Sequence, residues 1–153
     1  MAIDYGTKRV GLAVCDEPAV GDAALFLPYP LATVNRSRSV SHDLAEILRL
    51  AGIENVTAIV VGLPLHADGS HGASAQAATE FANALRKRTA LPVEMFNEYG
   101  TTVDAQEMLL AADVRRAKRR VAIDRMAAAS ILLGYLRHRA DANRATPESK
   151  ETV

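Results

Sequence analysis

Three acidic residues that lie far apart in the chain, Asp4, Glu98 and Asp124, each follow or join an apolar segment. Asp4 follows Ile3 in a strand-like opening, and Glu98 follows the strand-like residues 93–96. Asp124 begins a stripe of apolar residues at helical spacing, so it falls on the same helix face as the core positions. Because an unpaired buried charge is heavily penalised, such a carboxylate must accept hydrogen bonds, pair with a cation or bind a metal.

Together the three carboxylates suit catalysis by divalent cations. A first strand, the end of a later strand and the apolar face of a final helix can converge in a mixed α/β fold, and converging carboxylates repel one another unless a cation lies among them. Ligands that are all oxygen favour Mg²⁺ or Mn²⁺. Two such ions about 3.5 to 4 Å apart activate a water and stabilise the leaving oxygen of a phosphodiester. The sequence therefore predicts a metal-dependent catalytic site made of Asp4, Glu98 and Asp124.

Each acid also has a structural interpretation when it is considered alone. Asp124 can cap its helix or pair with Arg120 one turn earlier. Asp4 can brace its own turn, and Glu98 can lie in solvent. The catalytic prediction thus depends on the three acids acting together.

Basic residues lie close in sequence to two of these acids. Lys8 and Arg9 follow Asp4 in the predicted hairpin. A polyanionic substrate needs positive charge beside acids that would otherwise repel it, and Ser70 can offer a hydroxyl and an amide to a phosphate near a helix start. These residues are predicted to bind nucleic acid, with solvated turns as the alternative. The same prediction covers five basic residues that precede Asp124: Arg115, Arg116, Lys118, Arg119 and Arg120.

Apolar periodicity predicts the elements that must position these residues. Residues 1–15 predict a β-hairpin that turns at residues 6–8, and the apolar run at residues 56–61 is typical of a strand buried in a parallel sheet. The first predicted helix is capped by Ser39 or Ser41 and stopped by Gly52. Further strands are expected at residues 23–27 and 93–96, and helices at residues 42–51, 73–88, 101–112 and 121–139.

Antiparallel hairpin strands thus precede alternating strands and helices. This order predicts an α/β fold in which helices pack on the faces of a mixed sheet. A chain of 153 residues with 49% apolar residues can bury a full core, and we expect a single domain over residues 1–140. The polar residues 141–153 are predicted to form a disordered tail.

Composition narrows the functional classes. The 18 basic residues balance 18 acidic ones, so no overall positive field indicates a nucleic-acid partner and only local clusters can supply one. The single cysteine, Cys15, excludes a disulfide within the chain. No stretch is long and apolar enough to span a bilayer and no targeting segment is present, so we expect a cytoplasmic protein without a membrane partner.

Four successive segments resemble the motifs of one known family. They are DYGTKRVGLAV from Asp4, PLATVNR from Pro30, VVGLPLHADGS from Val60 and IDRMAAASILLGYL from Ile123. On these motifs the chain resembles the YqgF family, whose members are similar to the Holliday junction resolvase RuvC and have an RNase H-like fold. The resemblance implies a nuclease that uses Mg²⁺ or Mn²⁺, with Asp4, Glu98 and Asp124 at the positions of the family's acidic residues.

The resemblance implies a nucleic-acid partner and leaves more than one role open. Processing of the 5′ end of pre-16S rRNA is the proposed role of the family, with a ribosomal particle as a partner. Resolution of Holliday junctions, on which RuvC-like enzymes act as dimers, is the older one. This chain has NEYGTT at residues 97–102 where the family usually has Asp-Glu-Arg-Leu-Thr-Thr. Because Tyr99 cannot replace the fixed charge of an arginine at a phosphate, a non-catalytic nucleic-acid-binding protein of ribosome assembly is a further alternative.

Two other expectations concern the opening segment. The D-x-G-T pattern at Asp4 also occurs in the phosphate loop of actin-like and sugar-kinase ATPases, but those enzymes close two domains around a nucleotide and this chain supplies one. Members of the YqgF family carry several residues before the position of Asp4, so we expect the natural first strand to begin before Met1.

Overall fold

The structure of the protein is a computed structural model that describes residues 1–16, 28–97 and 116–145. Within the last segment, the side chains of residues 116–125 and 144–145 lie outside this description.

Within the described residues, five strands form one mixed sheet. They are β1 (Ala2–Tyr5), β2 (Arg9–Val14), β3 (Tyr29–Asn35), β4 (Ile59–Leu63) and β5 (Val93–Asn97). Their order across the sheet is β3-β2-β1-β4-β5. The central strand β1 is antiparallel to β2 and parallel to β4, and β2 pairs antiparallel with β3 while β4 pairs parallel with β5. The predicted hairpin and the predicted parallel pairing are both confirmed.

Three helices lie on the two faces of this sheet in the part of the chain that the structure describes. They are α1 (Val40–Ile53), α2 (Ala73–Arg86) and α3 (Arg116–Ala145). α1 and α2 pack on one face, where the largest fully buried side chains include Ile3, Leu12, Leu44, Ile47 and Leu85. α3 packs on the other face. The predicted mixed sheet with helices on its faces is therefore confirmed.

Successive side chains of β1 point to opposite faces of the sheet, and this determines which of them face which helices. Ile3 and Tyr5 join the core formed with α1 and α2. Ala2 packs instead with Ile131 of α3, and Asp4, two residues later, points to the same face as Ala2. The predicted catalytic carboxylate of β1 therefore lies on the α3 face of the sheet.

The third strand differs from the prediction. A strand was expected at residues 23–27, which lie outside the described residues, whereas the strand that pairs with β2 is Tyr29–Asn35. This strand contains Pro30, which cannot donate to a strand ladder. Among the described residues β3 is an edge strand, and Pro30 is tolerated there because no described strand pairs with its other side.

Two further boundaries change near residues 52–59. α1 begins after the predicted cap Ser39, whose hydroxyl accepts a hydrogen bond from the His42 amide at 3.3 Å. The helix ends at Ile53 rather than at Gly52, and the left-handed residue that follows is Asn55, with φ of 51°. β4 begins at Ile59, three residues after the predicted start at 56. The predictions of α2 and β5 are confirmed, whereas the helix predicted at residues 101–112 lies outside the described residues.

α3 is longer than predicted at both ends. It begins at Arg116, so most of the basic run belongs to its first turns instead of separating it from the preceding element. It continues to Ala145, so the first residues of the predicted disordered tail are helical. No helix in the described segments is long and apolar enough to cross a membrane.

Candidate active site at the carboxyl end of the central strands

Asp4 is half-buried on the central strand of the sheet. Across the antiparallel pair its partner is Gly11 of β2. The parallel pairing of β1 with β4 joins Ile3 to Val61, and one residue farther along both strands Asp4 lies beside Gly62. Glycine therefore flanks Asp4 on both adjacent strands, so neither strand places a side chain directly beside the carboxylate.

The turn that follows Asp4 is tight. The Gly6 amide donates to the Arg9 carbonyl at 3.0 Å, and a Cβ at Gly6 would lie 2.6 Å from that oxygen. Glycine is thus the residue that fits this turn without a backbone shift. Lys8 is exposed in the turn and Arg9 is half-buried at the start of β2. Both predicted phosphate-binding residues therefore lie within five positions of Asp4.

The loop at residues 64–72 begins where β4 ends, at the same edge of the sheet as the end of β1. The Ser70 amide donates to Oδ1 of Asp68 at 2.9 Å, and the hydrogen bonds from Ser70 lower the pKa of that carboxyl. The His66 amide donates to the Ser70 carbonyl at 3.0 Å, and Gly69, with φ of 79°, donates to the His66 carbonyl at 2.8 Å. The Ser70 amide, which was expected to face a phosphate, is thus used within the loop. Ser70 is exposed, and its hydroxyl, which also interacts with the Asp68 carboxylate, is the group that a substrate can reach.

α3 crosses the Asp4 face in the direction opposite to β1. Ala128 packs against Ala13, which is the pairing partner of Ala2 near the start of β1. Farther along the helix, Tyr135 lines a cavity of about 190 Å³ at the amino end of β1 and β4. Helix positions before Ala128 therefore lie toward the carboxyl end of β1, where Asp4 is found.

Aromatic contacts fasten α3 to β5. The rings of Phe96 and Tyr135 meet edge to face, with centroids 5.9 Å apart and an angle of 80° between their planes. Phe96 also lies 6.2 Å from the His138 ring. Burial raises the pKa of Tyr135, and its hydrogen bond with Glu94 raises it further. α3 is thereby held against the strand whose last residue, Asn97, precedes Glu98.

The predicted site residues lie only partly within the described structure. Asp124 belongs to α3, four residues before Ala128, but its side chain lies outside the description, as do those of Arg116, Lys118, Arg119 and Arg120. Glu98 and Arg115 lie outside the described residues altogether. Among the side chains that are described, no three histidine, cysteine or acidic residues form a group that could hold a metal ion. Two of the three predicted ligands are not among those side chains, so the proposed metal site stays a prediction.

Comparison with known proteins identifies the family. The sequence model described as "RuvX: Holliday junction resolvase" matches residues 1–138. The chain belongs to the RuvX (YqgF) family. The family consists of Holliday junction resolvase-like nucleases, so the predictions of family and of an enzyme of the nuclease class are confirmed.

Relatives of this RuvX family member match over most of their length. A protein of Myxococcus xanthus is 42% identical over 136 residues, which cover 89% of this chain and 85% of the relative. A protein of Symbiobacterium thermophilum is 41% identical over 138 residues, which cover 90% of this chain and 91% of the relative. Both are named "Putative pre-16S rRNA nuclease".

A solved structure shows the fold. The structure titled "Thermus thermophilus RuvC structure" superposes with a TM-score of 0.51 at 14% identity and covers 91% of this chain and 94% of its own. At that identity the likeness concerns the fold alone, and the predicted RNase H-like fold is confirmed.

The glycines beside Asp4 were not predicted as part of the site, although the sequence contained the information. Once the hairpin turn is placed at residues 6–8, counting back from Tyr5 and Val10, which are partners, puts Asp4 opposite Gly11. Gly62 could not be found this way, because the register between β1 and β4 depends on a pairing across more than fifty residues.

Proposed function

We propose that this RuvX family member is a metal-dependent endonuclease that hydrolyses phosphodiester bonds during 5′-end processing of pre-16S rRNA. Asp4, Glu98 and Asp124 are the proposed metal ligands and catalytic residues. The observation that carries the proposal is the place of Asp4: a half-buried carboxylate on the central strand, with glycine on both neighbouring strands. The names of the relatives in Myxococcus and Symbiobacterium give the substrate class.

The direction of α3 supports the convergence of Asp4 and Asp124. Ala128 packs at the level of Ala2, through the Ala2 partner Ala13. Asp4 is two strand residues beyond Ala2, or about 6.6 Å. Asp124 is four helix residues before Ala128, or about 6 Å in the same direction along the sheet. Both acids are therefore displaced toward the same edge of the sheet.

The end of β5 supports the third ligand. Phe96 pairs with Gly62, which lies beside Asp4, so these three residues belong to one row across the sheet. Glu98 is two residues beyond Phe96 in the chain. Glu98 thus follows the carboxyl end of β5 in the sequence, and only β4 separates β5 from β1 in the sheet.

The donor set fits a hard divalent cation, because the three proposed ligands offer carboxylate oxygens only, and the residues at the pairing positions on both sides of Asp4 are glycines. When bound, Mg²⁺ or Mn²⁺ supplies Lewis acidity and lowers the pKa of a water at the scissile phosphate. The protein's own residues hold the substrate. Lys8 and Arg9 contact phosphates next to Asp4, and the Ser70 hydroxyl and the basic residues at the start of α3 contact phosphates farther away.

A second candidate is resolution of Holliday junctions, because the matching family is described as a Holliday junction resolvase. The chemistry at the carboxylates is the same for both candidates. The substrates differ, since a junction presents two symmetric strands to a dimer, whereas the 5′ end of an rRNA precursor presents a single cleavage site.

The test is cleavage of a pre-16S rRNA 5′ leader and of a four-way DNA junction, side by side, in Mn²⁺ and in EDTA. The variant Asp4→Asn removes the proposed ligand, and Asp16→Asn is the matched control because Asp16 is exposed and lines the cavity at the opposite end of β1. We expect cutting of the leader in Mn²⁺ by the wild type and by Asp16→Asn. Asp4→Asn should cut no faster than the wild type in EDTA, with unchanged circular dichroism.

Each other outcome has a defined meaning. Cutting of the junction but not of the leader would replace the first candidate by the second. Cleavage by Asp4→Asn at the wild-type rate would refute the assignment of the site. Binding of rRNA that Mn²⁺ does not affect, without cleavage of either substrate, would indicate a non-catalytic protein of ribosome assembly.

A further inference from the structure

We propose that Arg36 is a positioning residue for the catalytic strand, because it holds the chain that leaves Asp4. This inference rests on the proposed function of Asp4. Arg36 lies just after β3, and its Nη1 donates to the carbonyl of Gly6 at 3.3 Å and to that of Thr7 at 3.1 Å. Its own amide donates to the Lys8 carbonyl at 2.9 Å. One residue thus binds three consecutive residues of the turn.

A stack of three side chains extends this hold to the residue next to Asp4. The Arg36 guanidinium lies over the ring of Tyr5, 4.5 Å from its centroid. On its other face, Tyr5 stacks on Phe81 of α2, with centroids 4.2 Å apart and planes 19° from parallel. A planar guanidinium can stack on a ring and donate to two carbonyls together, which a lysine ammonium cannot. The Tyr5 ring is therefore held between Arg36 and the core.

The alternation of β1 connects this stack to the catalytic carboxylate. Ile3 is fully buried and Tyr5 is held in the stack, and both point away from α3. Asp4 lies between them and points to the opposite face. When both neighbours are fixed, the backbone at Asp4 has little freedom to rotate, so the position and direction of its Cα–Cβ bond are fixed as well. Displacing a reacting group by about 1 Å can lower a rate ~100-fold.

The side of the sheet on which Arg36 lies distinguishes a positioning role for this residue from a role in phosphate binding. Its guanidinium covers Tyr5, on the side of the sheet that faces α1 and α2, whereas Asp4 points toward α3. Loss of a residue that contacts substrate phosphate raises KM and reduces the salt dependence of binding. Loss of a residue that orients Asp4 from the other face lowers kcat instead and leaves KM and the salt dependence unchanged.

The experiment compares Arg36→Gln and Arg36→Lys with the matched control Arg38→Gln, which removes an exposed arginine two residues away. Two measurements are made on each protein. The first is hydrogen exchange of the Gly6 amide, which donates within the turn and can be followed without any activity. The second is kcat and KM for cleavage of the pre-16S leader in Mn²⁺ over a range of salt concentrations.

For Arg36→Gln we expect faster exchange at Gly6, a fall in kcat of ~10- to 100-fold, a KM within about twofold of the wild type and an unchanged salt slope. Arg36→Lys should not restore kcat, because retained charge does not replace the planar fork. Arg38→Gln should leave Gly6 exchange and kcat unchanged. This pattern separates orientation of Asp4 from general loss of stability, since global unfolding would affect exchange throughout the sheet.

Three results would overturn the proposal. They are unchanged Gly6 exchange in Arg36→Gln, full rescue by Arg36→Lys, and a raised KM with a reduced salt slope, the last of which would make Arg36 a phosphate contact. A wild-type protein that cleaves neither substrate would remove the proposed function and the catalytic part of this proposal together. In that case Gly6 exchange still decides whether Arg36 holds the turn.

Discussion

Asp43 offers a direct test of how the segment that carries Arg36 is held. Its side chain is 4% exposed and lies in the first turn of α1. The Ser37 amide donates to its Oδ1 at 3.0 Å and to its Oδ2 at 3.1 Å. This buried carboxylate therefore ties the residue after Arg36 to the helix that follows.

The pKa of Asp43 fixes the sign of the pH dependence. Burial acts to raise this pKa, but the hydrogen bonds from Ser37 and the positive charges of His42 and Arg36 outweigh burial, so the pKa falls below the ordinary value of 3.8. A group whose pKa is lowered by folding contributes stability above its unfolded pKa. That contribution is lost as the pH falls through the folded pKa. We thus expect the effect of Asp43 at neutral pH and its decline below about pH 4.

The magnitude follows from the hydrogen bonds. Asp43→Ala removes the charged acceptor of the Ser37 amide, whose hydrogen bonds are partly buried, and a hydrogen bond to a charged group contributes about 1.5–3 kcal/mol to the free energy of unfolding. For a protein of this size, about 2 kcal/mol corresponds to a fall of about 4–8 °C in Tm. Asp43→Asn keeps one oxygen acceptor and should cost about 1 kcal/mol.

The assay is urea unfolding of the wild type, Asp43→Ala and Asp43→Asn at pH 7 and at pH 3, followed by circular dichroism. Asp68→Asn is the matched control. Asp68, like Asp43, accepts a hydrogen bond from a backbone amide, that of Ser70, but its side chain is exposed. We expect the gap between the wild type and Asp43→Asn to narrow at pH 3, while Asp68→Asn stays close to the wild type. A gap of equal size at both pH values would refute the role of the charged carboxylate.

Two other substitutions test the turn and the α3 contact. Gly6→Ala places a Cβ 2.6 Å from the Arg9 carbonyl and should cost about 1–3 kcal/mol and lower the rate of leader cleavage; a Tm and a rate equal to those of the wild type would show that the turn relaxes freely. Ile131→Ala removes a side chain that is 1% exposed and packs against Ala2 and Val60, so urea unfolding should show a loss of about 2–5 kcal/mol, and a loss below about 1 kcal/mol would contradict the packing of α3 on β1.

The hairpin was predictable because its apolar residues alternate and its turn contains Gly6. The same reasoning failed for β3, where Pro30 and the mixed small and polar residues of Tyr29–Asn35 hide the strand. Its place at the edge of the sheet, which tolerates such residues, is a property of the assembled sheet and is absent from the local pattern.

The start of α3 was missed for a related reason. The residues from Arg116 to Arg120 show no apolar stripe, so periodicity alone predicts a helix that begins only at residue 121. Arginine, lysine and alanine are nevertheless strong helix formers, and a helix anchored by packing farther along extends through them at little cost.

The candidate site also contains residues that local sequence patterns predict and residues that they do not. The placement of Asp4 on a strand, of Glu98 after a strand end and of Asp124 on an apolar helix stripe was predicted from local patterns, and the family resemblance implied the same three residues. The contacts of Arg36 with the turn could not be predicted, because they join residues 30 positions apart and require the register of β2 with β3. When a strand is not recognised in the sequence, the long-range contacts of its residues cannot be predicted either.

The arrangement of partners around β1 has a consequence for the order in which the protein is made. β1 and β2 are neighbours in the chain, but Ala2 meets its β4 partner Val60 only after all of α1 has been synthesised, and the helix on the Asp4 face of the sheet is the last element of the described chain. Pairings that span long stretches of sequence form late. During translation, the Asp4 face stays uncovered until α3 leaves the ribosome. On the proposed assignment, which places Asp124 on α3, the three carboxylates can come together only after α3 has been synthesised.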